Sequence, residues 1–313
     1  LFKSPKLLES SNEPIMIKRT LLFGNPAHLS TSKNQLVVKY PNDGQIKTMP
    51  IEDIGVILLE HPQITISHVL ISKLLGNQAA IITCDAQHLP QGLMLNLNTH
   101  HKQVAQMSSQ LSATDSLKGK LWKQTIKAKI ENQAALLKAN GIPADNMQRW
   151  ASKVQNGDPE NLECRAAAYY WKSLFTDFIQ NFKRGRFEGE PNNLLNYGYA
   201  ILRASVSRSL MVSGLLPTIG YHHHNQYNSY CLADDVMEPY RPFVDQLVLE
   251  LIRTEDSYAE LTPALKQKLL QVPVLDVSIN GQTSPLMLAL QQTTSSLQKC
   301  YAKELKDIKF PSF

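Results

Sequence analysis

The sequence predicts an α+β protein of two domains, a small N-terminal β-sandwich-like domain followed by a larger all-α C-terminal domain. Three observations lead there. Up to about Leu95, apolar residues come in short, strand-length runs. After Asn96 the composition shifts, and Asn98-Thr99-His100-His101 reads as a linker. From Val104 onward, apolar residues recur at helical spacing. The expected partition is a β domain over 16–95, a linker over 96–104 and a helical domain over 105–313, and 313 residues suffice for two domains.

Taken in order, Ile17–Phe23 and Gln35–Tyr40 read as strands. Asn42-Asp43-Gly44 signals a tight turn into Gln45–Met49, hence a hairpin. Val56–Leu59 and Ala79–Thr83 have the length of buried strands. Between them, Ser67 is placed to cap a helix carrying Val69, Leu70, Leu74 and Leu75, which ends at Gly76-Asn77. Few of these runs alternate cleanly, so the expectation is a small sandwich with one helix, not an open parallel sheet.

In the second half, Val104, Met107 and Leu111 begin a helical pattern that continues through Leu117, Leu121, Ile126, Ile130 and Leu137 and stops at Gly141-Ile142-Pro143. Gly157-Asp158-Pro159 is a second break. Ala166–Phe182 reads as a helix apolar on every side, thus central to its domain, and Asn192–Leu215 as another. Pro239 and Pro242 are tolerated only in a first helical turn, which starts the next helix near Asp235–Glu238. Leu275–Val277 with Asn280-Gly281 suggests a hairpin, and a last helix follows over about Leu286–Leu305.

Net charge is +5, a weak pointer to an acidic partner by itself. Its distribution says more: Lys118–Arg208 holds 15 Lys/Arg against 8 Asp/Glu. Such concentration suits a surface facing nucleic-acid phosphates; the plain alternative is a solvated helical face. Cys84, Cys164, Cys231 and Cys300 lie far apart and read as reduced thiols, not as a disulfide framework or zinc knuckle. No apolar run has membrane-spanning length, and cytoplasm is the expected location. Residues 1–15 are unpatterned and read as a vector-derived or disordered leader, with Met16 the natural start.

The chemistry-bearing residues are Glu163, the triplet His222-His223-His224, and Asp234, Asp235 and Glu238. A carboxylate, an imidazole and a second carboxylate from separate segments make the ligand set of a divalent-metal hydrolase or strand transferase. Glu163 heads an aromatic-rich helix, where a carboxylate is costly to bury unless paired or metal-bound. The plain alternative is an acid favoured by the helix dipole, a task Asp158 and Glu160 serve as well. The triplet follows an apolar segment closed by Pro217 and Gly220, on a turn that can point one imidazole inward. Asp235 and Glu238 are three apart and share a helical face, where two carboxylates repel unless a cation sits between them. Capping by Asp234 and dipole pairing is the plain alternative; it explains one acid well and three within five residues less well. Arg241 can hold a ligand carboxylate or grip a phosphate bidentately.

The segments Leu162-Glu163-Cys164-Arg165-Ala166-Ala167, Gly220-Tyr221-His222-His223 and Asp234-Asp235-Val236-Met237-Glu238-Pro239-Tyr240-Arg241-Pro242 resemble the three signature blocks of the CRISPR-associated spacer-acquisition integrase, the first universal Cas protein. Asn225-Gln226-Tyr227-Asn228 is similar to that family's type II branch. The resemblance implies a catalytic helical domain and a homodimer formed through the β domain. It implies assembly with the small ferredoxin-like second Cas protein in a heterohexamer. It further implies Mg²⁺ or Mn²⁺ held by a Glu, a His and an acid, here Glu163, His223 and Glu238, with Asp235, Arg165 and Arg241 as supporting or phosphate-contacting residues. His222 and His224 flank the implied histidine as alternatives. The implied reaction is transesterification by the 3′-hydroxyl of incoming DNA on CRISPR-repeat DNA. Two other readings of the same residues are a free-standing metal nuclease and a non-catalytic DNA-binding scaffold.

Overall fold

The computed structural model of the protein describes residues 18–41, 44–86, 88–185, 188–255 and 257–313. The leader, Met16 and the Asn42-Asp43 turn lie outside the described residues. The N-terminal region consists of β1 (Arg19–Phe23), β2 (Ala27–Ser32), β3 (Gln35–Lys39), β4 (Ile46–Pro50), β5 (Ile54–Leu59), β6 (Ile64–Ile66), α1 (His68–Gly76), β7 (Ala80–Cys84) and β8 (Pro90–Met94). As expected, Ser67 caps α1, its hydroxyl accepting from the Leu70 N–H.

These strands form two four-stranded sheets, ordered β4-β3-β2-β6 and β1-β5-β7-β8. In the first, β2 and β3 form a hairpin turned by Lys33 and Asn34, both at positive φ. In the second, β1, β5 and β7 run parallel and β8 closes the edge antiparallel. The parallel pairing of β1, β5 and β7 departs from the expectation that parallel strands would be absent, and burial explains why they do not alternate in sequence. Ile54 and Ile57 of β5 and Ile81 of β7 face α1 and the other sheet, while Val56, Leu58, Ala80 and Ile82 face the helices. Strands covered on both faces read as continuous apolar runs.

The helical region consists of α2 (Gln103–Leu111), α3 (Asp115–Ala139), α4 (Asp145–Lys153), α5 (Leu162–Leu174), α6 (Asn192–Val212), α7 (Cys231–Met237), α8 (Arg241–Thr254), α9 (Pro263–Leu269) and α10 (Leu286–Tyr301). A hairpin of β9 (Asp276–Ile279) and β10 (Gln282–Pro285) precedes α10. The central helix is α6, buried almost all round. A Cβ on its Gly198 would lie 2.6 Å from Val244 of α8, so the two helices meet only because that residue is glycine.

By contrast α5, expected to be apolar all round and to reach Phe182, stops at Leu174 and buries one stripe: Leu162, Ala166, Tyr170 and Leu174. Its aromatic excess goes into a cluster at its end, where the chain turns and brings Phe182 against Trp171 and Phe175. The helix expected to begin near Asp235–Glu238 begins instead at Arg241: Asp235 ends up inside α7, a 3₁₀ turn, Glu238–Tyr240, takes up Pro239, and Pro242 falls in the first turn of α8. No helix among the described residues is long and apolar enough to cross a membrane.

Candidate active site

Helix α3 carries Lys129 on its buried side, in line with Thr125, Ile126 and Ile130. A buried ammonium needs charge partners, and Lys129 has two. Its Nζ lies 2.5 Å from Glu163 Oε1 and 2.6 Å from Glu238 Oε2. Burial opposes the charge of Lys129, but Glu238 and Glu163 outweigh it and raise its pKa.

Glu163 stands in the first turn of α5 but does not cap it. Asp158 does, accepting the backbone N–H groups of Leu162 at 3.0 Å and Glu163 at 2.9 Å. The Glu163 carboxylate is thereby left to reach across to α3.

Glu238 opens the 3₁₀ turn and is 5% exposed. Its Oε1 lies 3.0 Å from Arg241 Nε. Neither Glu238 Oε2 nor Arg241 Nε makes an aligned hydrogen bond, so charge rather than direction holds these contacts. Burial works against ionisation of Glu238, yet Arg241 and Lys129 hold its carboxyl down at about 2. Arg241 also stacks over the Tyr199 ring, 4.6 Å from its centroid. Arg241 thus lies against a carboxylate.

The triplet is organised by Asp235, which is fully buried. Its Oδ2 accepts the backbone N–H groups of Tyr221 at 2.7 Å and His222 at 3.0 Å. Its Oδ1 takes the N–H of His223 at 3.1 Å and lies 2.6 Å from His223 Nδ1. The loop closes this tightly only because residue 220 is glycine: a Cβ there would lie 2.4 Å from the His223 carbonyl and 2.7 Å from Asp235 Oδ2.

The three histidines separate by environment. His222 stacks flat on Trp122 of α3, ring centroids 3.7 Å apart, and burial lowers its pKa. His224 is exposed and turns Nδ1 back to the His222 carbonyl. His223 alone has Nδ1 fixed by a buried carboxylate, leaving Nε2 for another partner. The hydrogen bond His223 donates to Asp235 raises its pKa against the effect of burial, and Glu238 adds to the rise.

The remaining expected residues lie elsewhere. Arg165 is exposed on α5 and stacks over Trp150. Asp234 pairs with Arg203 at 2.7 Å and accepts from Asn228 at 2.7 Å, tying down the loop after the triplet. The sequence reading missed Lys129, whose signal was a lysine on the apolar stripe of α3. It also missed Trp122 and Asp245, whose carboxylate accepts the hydroxyls of Tyr170 at 2.7 Å and Tyr199 at 2.5 Å.

Among the described residues, no three His, Cys, Asp or Glu side chains stand close enough together to hold a metal as they are. Two carboxylates do meet around one cation, the Lys129 ammonium, and one of their oxygens is buried without an aligned hydrogen bond. Hard carboxylate oxygens with an orientation-locked imidazole nearby are the donor chemistry of a Mg²⁺ or Mn²⁺ site, so the residues present fit such an ion.

The family model described as "CRISPR associated protein Cas1" matches residues 20–262. The CRISPR-associated endonuclease Cas1 of Neisseria meningitidis serogroup C (strain 8013) is 36% identical over 300 residues, covering 95% of this chain and 96% of that protein. CRISPR-associated endonuclease Cas1 2 of Pyrobaculum aerophilum is 26% identical over 287 residues, 87% of this chain and 95% of the relative. Among solved structures, a casposase bound to its integration product superposes with a TM-score of 0.77 at 19% identity, covering 94% of this chain and 92% of that one. A Cas1 protein from Thermotoga maritima gives 0.72 at 17% identity, covering 91% and 98%. These two structures share the fold.

Proposed function

The chain belongs to the Cas1 family of CRISPR-associated proteins, and from that premise we propose that it is a divalent-metal-dependent DNA integrase of the type II branch, acting in spacer acquisition. The observation that carries this reading is the meeting of Glu163 and Glu238, from different elements, around one cation, with His223, oriented by Asp235, within electrostatic reach of Glu238.

Glu163, Glu238 and His223 are the residues that would hold Mg²⁺ or Mn²⁺. When bound, the ion polarises a phosphoryl oxygen and steadies negative charge on the oxygens that attack and leave. Asp235 fixes the His223 tautomer, with Nδ1–H donating to the carboxylate and the Nε2 lone pair outward. Arg241 holds the Glu238 carboxylate from its other side. In the reaction, a DNA 3′-hydroxyl attacks a phosphodiester at the edge of a CRISPR repeat. One P–O bond forms as another breaks, and the attacking hydroxyl's proton is balanced by one returned to the departing 3′-oxygen. The number of phosphodiesters is conserved, so no nucleotide triphosphate is consumed.

Exposed lysines of α3, among them Lys120, Lys123 and Lys127, supply a surface for DNA backbone. The proposed partners are a second copy of this chain, bound through the β region, and the small ferredoxin-like second Cas protein in a heterohexamer. A neighbour of TM-score 0.72 and 19% identity, solved as a Cas6-RT-Cas1–Cas2 complex, supports a second Cas protein as partner. The proposed location is the cytoplasm, where such DNA would be reached.

A strand-joining assay on repeat DNA tests the reading. Joining should require Mg²⁺ or Mn²⁺ and vanish in Glu163→Ala, His223→Ala and Glu238→Ala, with most DNA binding kept. Cleavage without joining would favour a free-standing nuclease, the second reading, which the relatives' description as endonucleases supports. Binding with neither reaction at any metal concentration would leave a scaffold.

A further inference from the structure

Glu163, Glu238, Lys129 and Arg241 form a cluster whose formal charges cancel. An ammonium and a divalent cation cannot both sit between the same two carboxylates, because their repulsion at contact distance outweighs what either gains there. The ammonium must yield.

There is a place for it to go. A polar cavity of about 150 Å³ adjoins the cluster, lined by Lys129 itself, Gln133, Glu238 and Asp245. Gln133 stands one turn further along α3, 2% exposed, and its Oε1 has no hydrogen-bond partner among the described residues. An unmet acceptor that deep is costly in a folded protein. Asp245 adds a carboxylate on the same cavity. The cavity's two arginines are engaged: Arg184 with Asn192 and Asn196, Arg241 with Glu238. The flexible four-carbon stem of lysine permits such a change by rotamer alone.

We propose that Lys129 is a resident counter-ion with two stations: between Glu163 and Glu238 in the metal-free protein, and against Gln133 Oε1 and Asp245 once a divalent cation takes the carboxylates. This rests on the metal reading of Glu163 and Glu238 given above. In the metal-free state Lys129 keeps two buried acids from repelling one another. On loading, the cluster passes from neutral to doubly positive, which prepares it for a phosphodiester.

The test uses Mn²⁺ alone as probe, with calorimetric titration and thermal melting in chelator on the full chain. Lys129→Met should bind Mn²⁺ about tenfold more tightly than wild type, since nothing competes, while melting lower in chelator. Gln133→Leu should melt no lower than wild type in chelator, its unmet acceptor removed, yet bind Mn²⁺ about threefold more weakly, its second station gone. If Lys129→Met does not fold, Lys129→Arg replaces it; its guanidinium grips both carboxylates and should weaken Mn²⁺ binding. Unchanged or weaker binding by Lys129→Met, unchanged binding by Lys129→Arg, or wild-type binding by Gln133→Leu overturns the proposal. A wild-type protein that binds no Mn²⁺ at all sinks the metal reading itself, a distinct result.

Discussion

Asp235 holds His223 twice, taking its backbone N–H at 3.1 Å and its ring Nδ1 at 2.6 Å on the same oxygen. The other oxygen secures the two preceding residues. The imidazole's orientation and the loop's path therefore depend on a single buried side chain.

Asp235→Asn should fail in both respects. Its amide turns a donor toward backbone N–H groups that need an acceptor. The expected cost is roughly 2–4 kcal/mol by urea denaturation, with strand joining reduced as far as in His223→Ala. A variant that is stable and joins strands normally would show that the loop does not depend on this carboxylate.

The two carboxylates on Lys129 should not be equivalent. Without metal, Glu238→Gln leaves Lys129 and Arg241 sharing less negative charge in a buried place, a loss of roughly 3–5 kcal/mol. Glu163, whose side chain is 29% exposed, sits where water compensates, and Glu163→Gln should cost less than half as much. Denaturation in chelator gives both values; a larger loss for Glu163→Gln would contradict the burial argument.

Asp245 predicts a pH dependence. Burial pushes its carboxyl up to about 6 despite the hydroxyls of Tyr199 and Tyr170 and the cations nearby. The folded protein therefore holds this proton more tightly than the unfolded chain, whose Asp titrates near ~3.9. Stability from this group is complete below that value and is lost as pH rises through about 6. Comparing wild type with Asp245→Asn from acid to neutral pH should reveal a difference of roughly 2–3 kcal/mol accumulating across that window. Parallel curves would mean that the carboxyl titrates normally.

DNA binding should follow the exposed face of α3. Lys120 and Lys123 are exposed and three residues apart, so they share that face. Replacing both with Ala should reduce the slope of log affinity against log salt by about 2 and weaken all sequences alike. Filter binding across a salt series measures this, and an unchanged slope would move the DNA path elsewhere.

Much of this molecule could be read in its sequence where one residue type has one job. Ser67 before an apolar period marked α1. Glu163, the His222–His224 triplet and the acids at 234, 235 and 238 drew notice beside apolar or aromatic segments, but only the structure separates the three imidazoles by environment. Parallel pairing was hidden, because strands covered on both faces lack the alternation that assigns a side. The β2–β3 turn was hidden because Lys33 and Asn34 carry no Gly or Pro. Lys129 was lost inside a basic helix, where only its phase among apolar neighbours sets it apart from the solvated lysines. Asp245 gave no signal at all, since its two tyrosine donors come from α5 and α6.

The apolar cluster of the helical region continues without interruption onto Val56, Leu58, Ala80 and Ile82 of the parallel sheet. Severing the chain between β8 and α2 would therefore strip the cover from one side of β5 and β7 and open the helical cluster at the same seam. Neither fragment would remain soluble by itself, and recovery would require both to be produced together.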